Sequence, residues 1–286
     1  MYGYEAKQQT LKGYLQMTKL SEMKAFYQGQ MKAKAHPLDA LNAIMKEYYG
    51  YEYKGRLEHI FTVDNEKTVK GEKKGYLTGI IYLAPSRRSG VNVCPMADMA
   101  GCGDPCLNTS GKGKYSNVQM ARLRKTLLLH LNPAHFYYMA ERDIIRLKKE
   151  ADEKDFGLAL RFNGTSDIAW YNKPLYAIAK EHGAIVYDYT KMVKHIAEAP
   201  TGYHLTLSYS ESSRFYSDMV KKAMAEYPDV NVAVVFRDQL PKTFLNRVVV
   251  DGDETDLRFL DEKGVIVGLK AKGKAKKDYS GFVIDL

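Results

Sequence analysis

The chain has 286 residues, of which 45% are hydrophobic and 27% are charged, with 22 glycines and 9 prolines. This composition is typical of a folded globular protein and excludes a disordered or collagen-like chain. The 43 lysines and arginines outnumber the 34 acidic residues by nine, which favours phosphate-bearing partners. No apolar run approaches the roughly 20 residues that a membrane span needs, and the first residues lack the apolar region of a secretory signal. We expect a cytoplasmic protein without membrane contact.

The first 75 residues are basic, rich in tyrosine and patterned as helix. The clearest helix is predicted over residues 37–49, where Pro37 suits the first turn and Gly50 can end the helix. Residues 64–75 are polar and charged, which predicts a connector. We predict a helical, basic N-terminal extension with a short strand over residues 1–75, followed by an α/β unit over residues 76–286.

From residue 76 onward, apolar runs alternate with amphipathic segments. The runs predict strands at 77–84, 156–162, 184–189, 203–209, 230–236, 247–250 and 264–269. Helices are predicted at 117–131, 133–151, 172–182, 191–198 and 213–227, and Ser116 and Asn132 are suited to cap the first two. This alternation is typical of a parallel sheet covered by helices. The fold class is therefore α/β, with roughly six β units in an open sheet or a partial barrel.

The three cysteines of the chain, Cys94, Cys102 and Cys106, follow the first of these strands within thirteen residues. An odd, clustered set is poor material for disulfides in a cytoplasmic chain and indicates a metal or cluster site. Three thiolates leave one iron of a [4Fe–4S] cluster open, whereas structural zinc needs a fourth ligand such as histidine. The C-x7-C-x3-C spacing favours the cluster. A Cys3His zinc site, a redox thiol pair and plain buried thiols remain alternatives.

Polar side chains follow the other predicted strands, and the carboxyl ends of parallel strands meet at one edge of a sheet. After the second strand come Asn163, Thr165, Ser166 and Asp167. Such residues also serve as helix N-caps. Capping does not explain three residues that lie on or beside strands, namely Arg161, Lys191 and His204. We take these three as candidate catalytic residues, with His204 as a proton donor to the interior or, equally, as a hydrogen-bonded core histidine.

A strand that leads into a three-cysteine loop, followed by alternating α/β units, resembles the radical S-adenosylmethionine (radical SAM) enzymes. The resemblance implies a partial (βα)6 TIM-like barrel in which Cys94, Cys102 and Cys106 hold a [4Fe–4S] cluster. Its open iron would bind S-adenosylmethionine, whose reductive cleavage gives a 5′-deoxyadenosyl radical. Residues 163 and 165–167 would then bind the cofactor's amino group or ribose. The chain differs from that superfamily in lacking the C-x3-C-x2-C spacing and a GGE run.

The stretch from about residue 76 to 286 also resembles a bacteriophage family named after gene product 88. The matching segments are CPMADMAGCGDPCLNTSGKG, RFNGTSDIAW, YDYTK, YHLTLSYSES, VVDGDETDLRF and GLKAKGKA. The resemblance implies a phage origin, and therefore the cytosol of the host cell, but it implies no particular activity.

Three further features have ordinary structural explanations. The acidic run 250–261 could hold Ca²⁺ or Mg²⁺, but a turn between strands is the preferred interpretation. The lysine-rich stretch 270–278 could contact phosphate, although a solvated terminus is preferred. Trp170, the only tryptophan, could stack on an adenine but is expected to pack in the core.

Two functions follow from these observations. The first is a radical-SAM-like iron–sulfur enzyme that acts on a nucleic-acid-related or phosphate-bearing substrate. The second is a nucleic-acid-binding protein in which a zinc ion or a cluster is purely structural and no catalysis occurs. The substrate and the oligomeric state are not encoded in any motif that the sequence contains.

Overall fold

The computed structural model describes residues 19–286, without the side chain of Glu66. Residues 19–32 are helical (α1), and the part of the predicted N-terminal extension before residue 19 lies outside the described residues. The second helix, α2, covers Pro37–Tyr49 as predicted. His36 caps its first turn, and Gly50 ends it in the left-handed region with φ of 62°.

The predicted connector at 64–75 is wrong, because most of it forms a short helix, α3 (Glu66–Glu72). The side-chain oxygen of Asn65 accepts hydrogen bonds from the backbone N–H groups of Lys67 and Thr68, and the Thr68 hydroxyl accepts one from the Asn65 N–H. This reciprocal capping box stabilises a helix whose charged composition suggests a loop. Immediately before it, β1 (Phe61–Thr62) pairs antiparallel to the next strand.

The main sheet forms from the predicted apolar runs. Its further strands are β2 (Tyr76–Ile81), β3 (Gly157–Arg161), β4 (Ile185–Thr190), β5 (Tyr203–Ser208), β6 (Asn231–Phe236), β7 (Thr243–Phe244), β8 (Arg247–Asp251), β9 (Ile266–Lys270) and β10 (Val283–Ile284). They follow the order β1-β2-β3-β4-β5-β6-β9-β8-β7, and β10 pairs beside β6. All pairs are parallel except the two at the ends, β1–β2 and β7–β8. The carboxyl ends of eight strands therefore meet at one edge.

Helices connect the parallel strands, as the alternation predicts. They are α4 (Ser116–Leu131), α5 (Pro133–Glu153), α6 (Pro174–Glu181), α7 (Val193–Glu198) and α8 (Arg214–Glu226). The predicted cap at Asn132 is confirmed, because its side chain accepts from the His135 N–H. The predicted cap at Ser116 is wrong: α4 begins after Tyr115, without a side-chain hydrogen bond to the first turn.

One hydrophobic core joins the N-terminal helices to the sheet. Met23, Leu41 and Ile44 from α1 and α2 are buried in the same cluster as Leu77 and Ile81 of β2. Each such side chain contributes about 1.5–3 kcal/mol when it is fully buried. The helices that precede the sheet therefore pack on it.

The fold class is α/β, with one mixed sheet of ten strands in the described part of the chain. Its neighbouring strands largely follow chain order, and no described pair joins the end strands β1 and β7. No helix within residues 19–286 is long and apolar enough to cross a membrane.

Candidate functional site

A cavity of about 970 Å³ opens at the edge where the carboxyl ends of the parallel strands meet. Its wall takes residues from the loops after β2, β3, β4, β8 and β9, as expected for a ligand site in a parallel α/β sheet. The volume lies at the upper end of the range of about 300–1,000 Å³ that is usual for small-molecule sites. We call it the strand-end cavity.

All three cysteines are free thiols that line the strand-end cavity. Burial raises the pKa of Cys94 to about 11, and a charge on Cys106 adds to this effect, while Lys191 opposes it. Burial also raises the pKa of Cys102; a charge on Lys191 lowers that pKa, and a charge on Cys106 raises it further. The three thiols therefore form one electrostatic group beside one cation. A metal or cluster that binds them must displace their protons.

The thiols do not converge on one point. Within residues 19–286, no three His, Cys, Asp or Glu side chains are grouped so that they could hold a metal ion. No histidine occurs among the described residues that line the cavity. The Cys3His zinc alternative therefore has no fourth ligand in that lining.

Glycine and serine contacts hold the cysteine loop against the sheet. Gly101 has a φ of 66°, and a Cβ on it would lie 2.6 Å from Cβ of Ser212. Ser212 donates to the carbonyl of Met99, and Ser210 donates to the carbonyl of Ala100. The loop after β5 thereby fixes the loop that carries the thiols.

The loop after β3 is a closed hydrogen-bond network. The side-chain oxygen of Asn163 accepts from Ser166 Oγ, from the Ile168 N–H and from Trp170 Nε1 at 2.8–3.1 Å. Its amide nitrogen donates to Asp188 Oδ2 and to the carbonyl of Ile168. This residue is 4% exposed and has no hydrogen-bonding group left for a ligand.

The other predicted cofactor-binding residues of this loop also have partners inside the protein. Thr165 donates to the carbonyl of Leu83, and the carboxylate of Asp167 accepts from Thr190 Oγ1 and from the Lys191 N–H. Thr165 and Ser166 reach the cavity wall, as does Asn163, whereas Asp167 lies behind it. The contacts give the loop a structural role, and its predicted cofactor contacts remain a prediction.

Trp170 packs as expected. It is 1% exposed and lies against Phe136 and Phe162, with ring centroids 6.2 and 5.9 Å away. It does not line the cavity.

The three candidate catalytic residues separate in the structure. Arg161 and Lys191 line the strand-end cavity, but His204 does not; it is exposed, with its ring 5.8 Å from that of Phe259. The predicted role as a proton donor requires His204 to point into the cavity, and it does not. The reason is its place along the strand: His204 is the second residue of β5, whereas Ser208, at the carboxyl end of the same strand, lines the cavity.

Arg161 belongs to a buried ion group that the sequence does not reveal. Its guanidinium donates to both carboxylate oxygens of Asp256 at 2.9–3.0 Å, and Lys67 Nζ donates to the same carboxylate at 2.8 Å. Burial disfavours the Asp256 charge, but Arg161 and Lys67 outweigh it and hold its pKa well below the usual 3.8. Burial lowers the pKa of Lys67 to about 8.

The acidic run 250–261 has no free carboxylate cluster for a cation. Asp253 accepts from Lys272 Nζ and from the Lys270 N–H, and Asp256 is neutralised as described above. The preferred turn interpretation is supported, since Asp251 ends β8 and accepts from the Asp253 N–H. These aspartates balance neighbouring lysines.

The lysines of the stretch 270–278 are exposed, as a solvated segment requires, but the stretch is also anchored to the protein as part of the cavity wall. Ala271 and Ala275 are buried, and Lys270, Lys272 and Lys276 line the cavity. Gly273 lies so close to the cysteine loop that a Cβ on it would be 2.8 Å from Cβ of Ser110. Its φ of 58° also favours glycine.

The cavity holds nearly all of the chain's charge excess. Among the described residues that line it, eleven are basic and three are acidic. The rest of the chain has 32 basic and 31 acidic residues. The basic residues of the wall are Lys67, Lys70, Arg88, Lys112, Arg122, Lys125, Arg161, Lys191, Lys270, Lys272 and Lys276.

Sequence reasoning missed two buried lysines of this wall. Lys125 is 8% exposed within α4, donates to the carbonyl of Ile60 at 2.7 Å, and has its pKa lowered by burial to about 8. A lysine on the apolar face of a helix, beside Leu127 and Leu128, was the available signal. Lys67 had no such signal, because α3 was not predicted.

The fold and the cavity define an α/β protein with a basic, thiol-lined ligand site at the carboxyl ends of its parallel strands. The chain belongs to the gene product 88 family of bacteriophage proteins, whose family model matches residues 59–286. All described residues of the cavity wall lie inside that range. No curated protein and no solved structure matches the chain.

Proposed function

We propose that this protein is an iron–sulfur enzyme of radical SAM type, in which Cys94, Cys102 and Cys106 hold a [4Fe–4S] cluster. The observation that carries the proposal is that all three thiols line one cavity without a fourth thiol or a histidine in its described wall. A cluster distributes its thiolates over separate irons, so it does not require three ligands that converge on one ion. The three separated thiols therefore match the ligand arrangement of a cluster better than that of a zinc ion.

The strand order supports a partial (βα)6 barrel as the architecture of the proposed enzyme. Strands β2 to β6 are parallel neighbours in chain order, and β9 follows β6. The three-cysteine loop comes directly after the first of them. This is the position that the resemblance implies for a cluster loop.

A cluster with an open iron, together with S-adenosylmethionine, would supply one-electron radical chemistry. The chain's own residues would do the rest. Lys191 lies beside Cys94, Cys102 and Asp167 and compensates negative charge there. Arg161, held by Asp256, contributes a fixed cation on the wall. The excess of basic residues binds a phosphate-bearing substrate, and the surrounding loops restrict water.

The test is an anaerobic assay for 5′-deoxyadenosine with S-adenosylmethionine and a reductant. We expect the wild-type protein to be brown and to form the product, and the Cys106→Ala variant to lose both the colour and the activity. Asp104→Ala is the matched control in the same loop, because its side chain is exposed, lies outside the cavity lining and has no hydrogen bond or ion pair among the described residues. A colourless wild-type protein with one zinc ion per chain would overturn the proposal.

A further inference from the structure

We infer that the mouth of the strand-end cavity binds single-stranded nucleic acid, and that Tyr115 and Tyr279 are its base-stacking platforms. This rests on the proposed function, because it takes the same cavity as the substrate site. It goes further by naming a polynucleotide rather than a small phosphorylated molecule as the ligand.

The number of cations supports a polyanion. Eleven basic residues line the wall; Arg161 and Lys67 are paired with Asp256 and Lys272 is paired with Asp253, which leaves eight, a larger number than a single phosphate can contact. Lys112 and Lys276 are exposed, and neither side chain has a hydrogen bond or an ion pair among the described residues. Unpaired lysines at a rim remain free to neutralise successive phosphates of a chain.

The part of the rim that carries Lys112 and Lys276 is formed by two segments that pack against each other, the cysteine loop and the lysine-rich stretch. The contact of Gly273 with Ser110 joins them at one point. A second contact lies at Gly101, where a Cβ would be 3.0 Å from Ser280 Oγ. Tyr279 therefore adjoins a residue that contacts the cysteine loop, and Tyr115 follows the turn Gly111–Lys114, whose first three residues line the cavity; both tyrosines lie outside the lining itself.

Both tyrosines are exposed beside a cation. Tyr279 is 82% exposed with the Arg237 guanidinium 4.5 Å from its ring centre, and Tyr115 is 54% exposed with Lys114 Nζ at 5.6 Å. Exposed aromatic rings that alternate with basic groups are the usual platform for unpaired bases. A small phosphorylated ligand inside the cavity would need neither ring.

The position of the thiols in the cavity wall favours a single strand over a duplex. The cavity volume suits one small molecule, and an enzyme that reaches a base must take it out of the helix. A strand across the rim can place one nucleotide inside, whereas a duplex stays outside.

The test is fluorescence anisotropy with a labelled 15-nucleotide strand, as DNA and as RNA, against matched duplex, ATP and inorganic triphosphate as competitors. We expect either strand to compete at least about tenfold better than triphosphate, with a steep salt dependence. Comparing the affinities of the DNA strand and the RNA strand shows which of the two the protein prefers. Equal competition by ATP or triphosphate, or tighter binding of the duplex, would overturn the inference.

Variants locate the binding surface. Lys112→Ala with Lys276→Ala should reduce the slope of log affinity against log salt by about 1.4, at about 0.7 for each lost phosphate contact of a single strand, and Tyr279→Ala should weaken binding at least about fivefold. Lys149→Ala with Lys222→Ala removes the same charge away from the cavity, and Tyr138→Ala removes another exposed ring, which lies beside Arg142. Equal losses in these control variants would contradict the assigned surface.

Iron content is measured on the same preparations. Brown protein that does not bind a strand contradicts only this inference. Colourless protein that binds the strand contradicts only the cluster. The two proposals therefore fail separately.

Discussion

Two loops at the same edge of the sheet differ in what their polar side chains do. The loop after β3 uses its side-chain groups internally, and Asn163 alone takes part in five hydrogen bonds. The loop after β2 presents three free thiols and unpaired lysines to the cavity. Both loops are rich in polar residues, so composition does not separate them. Among the described residues of the loop after β2, only Cys94 of the three thiols has an internal hydrogen bond, to the Thr165 carbonyl. Most of this loop's polar groups therefore remain available to a ligand, while those of the loop after β3 build the frame.

The largest effect on stability is expected where the frame contains buried charge. Asp256→Asn leaves the buried Arg161 and the partly exposed Lys67 without a counter-charge and should lower the free energy of unfolding by about 3–5 kcal/mol. Urea unfolding at pH 7 measures this, with the exposed Asp218→Asn as a control expected to stay within about 0.5 kcal/mol. An unchanged midpoint in the Asp256 variant would show that the ion group is not structural.

The same carboxylate predicts a pH dependence. The pKa of Asp256 is lower in the folded protein than the usual 3.8, so its contribution is fully present above about pH 4 and is lost as the pH falls through the folded value. Wild-type protein should therefore lose stability on acidification more steeply than the Asn variant. Parallel curves between pH 5 and pH 2 would contradict this assignment.

A smaller loss is expected from the loop after β3. Asn163→Ala leaves Trp170 Nε1 and the Ile168 N–H without their partner and should cost about 2–4 kcal/mol. Asn172→Ala, exposed a few residues later, should cost less than about 0.5 kcal/mol. If Asn163→Ala keeps its stability but loses affinity for S-adenosylmethionine, the residue binds cofactor and the contrast between the loops is wrong.

The smallest effect is expected at the site itself. Lys191 has no side-chain hydrogen bond or ion pair among the described residues, so Lys191→Met should change the free energy of unfolding by no more than about 1 kcal/mol. Thermal or urea unfolding measures this. A loss as large as that of Asp256→Asn would make Lys191 part of the frame.

The sequence predicts the α/β class, the α2 bounds and nearly every strand, because buried parallel strands are apolar runs that need no knowledge of their neighbours. It also groups the thiols with Arg161 and Lys191 at the strand ends. It could not assign Asn163 to the frame, because its partners Trp170 and Asp188 are known only from the fold. Lys67 and Asp256 are 189 residues apart in the chain, and no local pattern encodes their contact.

The central claim is that the three free thiols hold a cluster. The most direct measurement is the iron and acid-labile sulfide content of protein purified without oxygen, beside Cys94→Ala, Cys102→Ala and Cys106→Ala variants. We expect close to four iron and four sulfide per wild-type chain, and a strong loss in each variant. Wild-type protein without iron and sulfide, or variants that retain both, would contradict it.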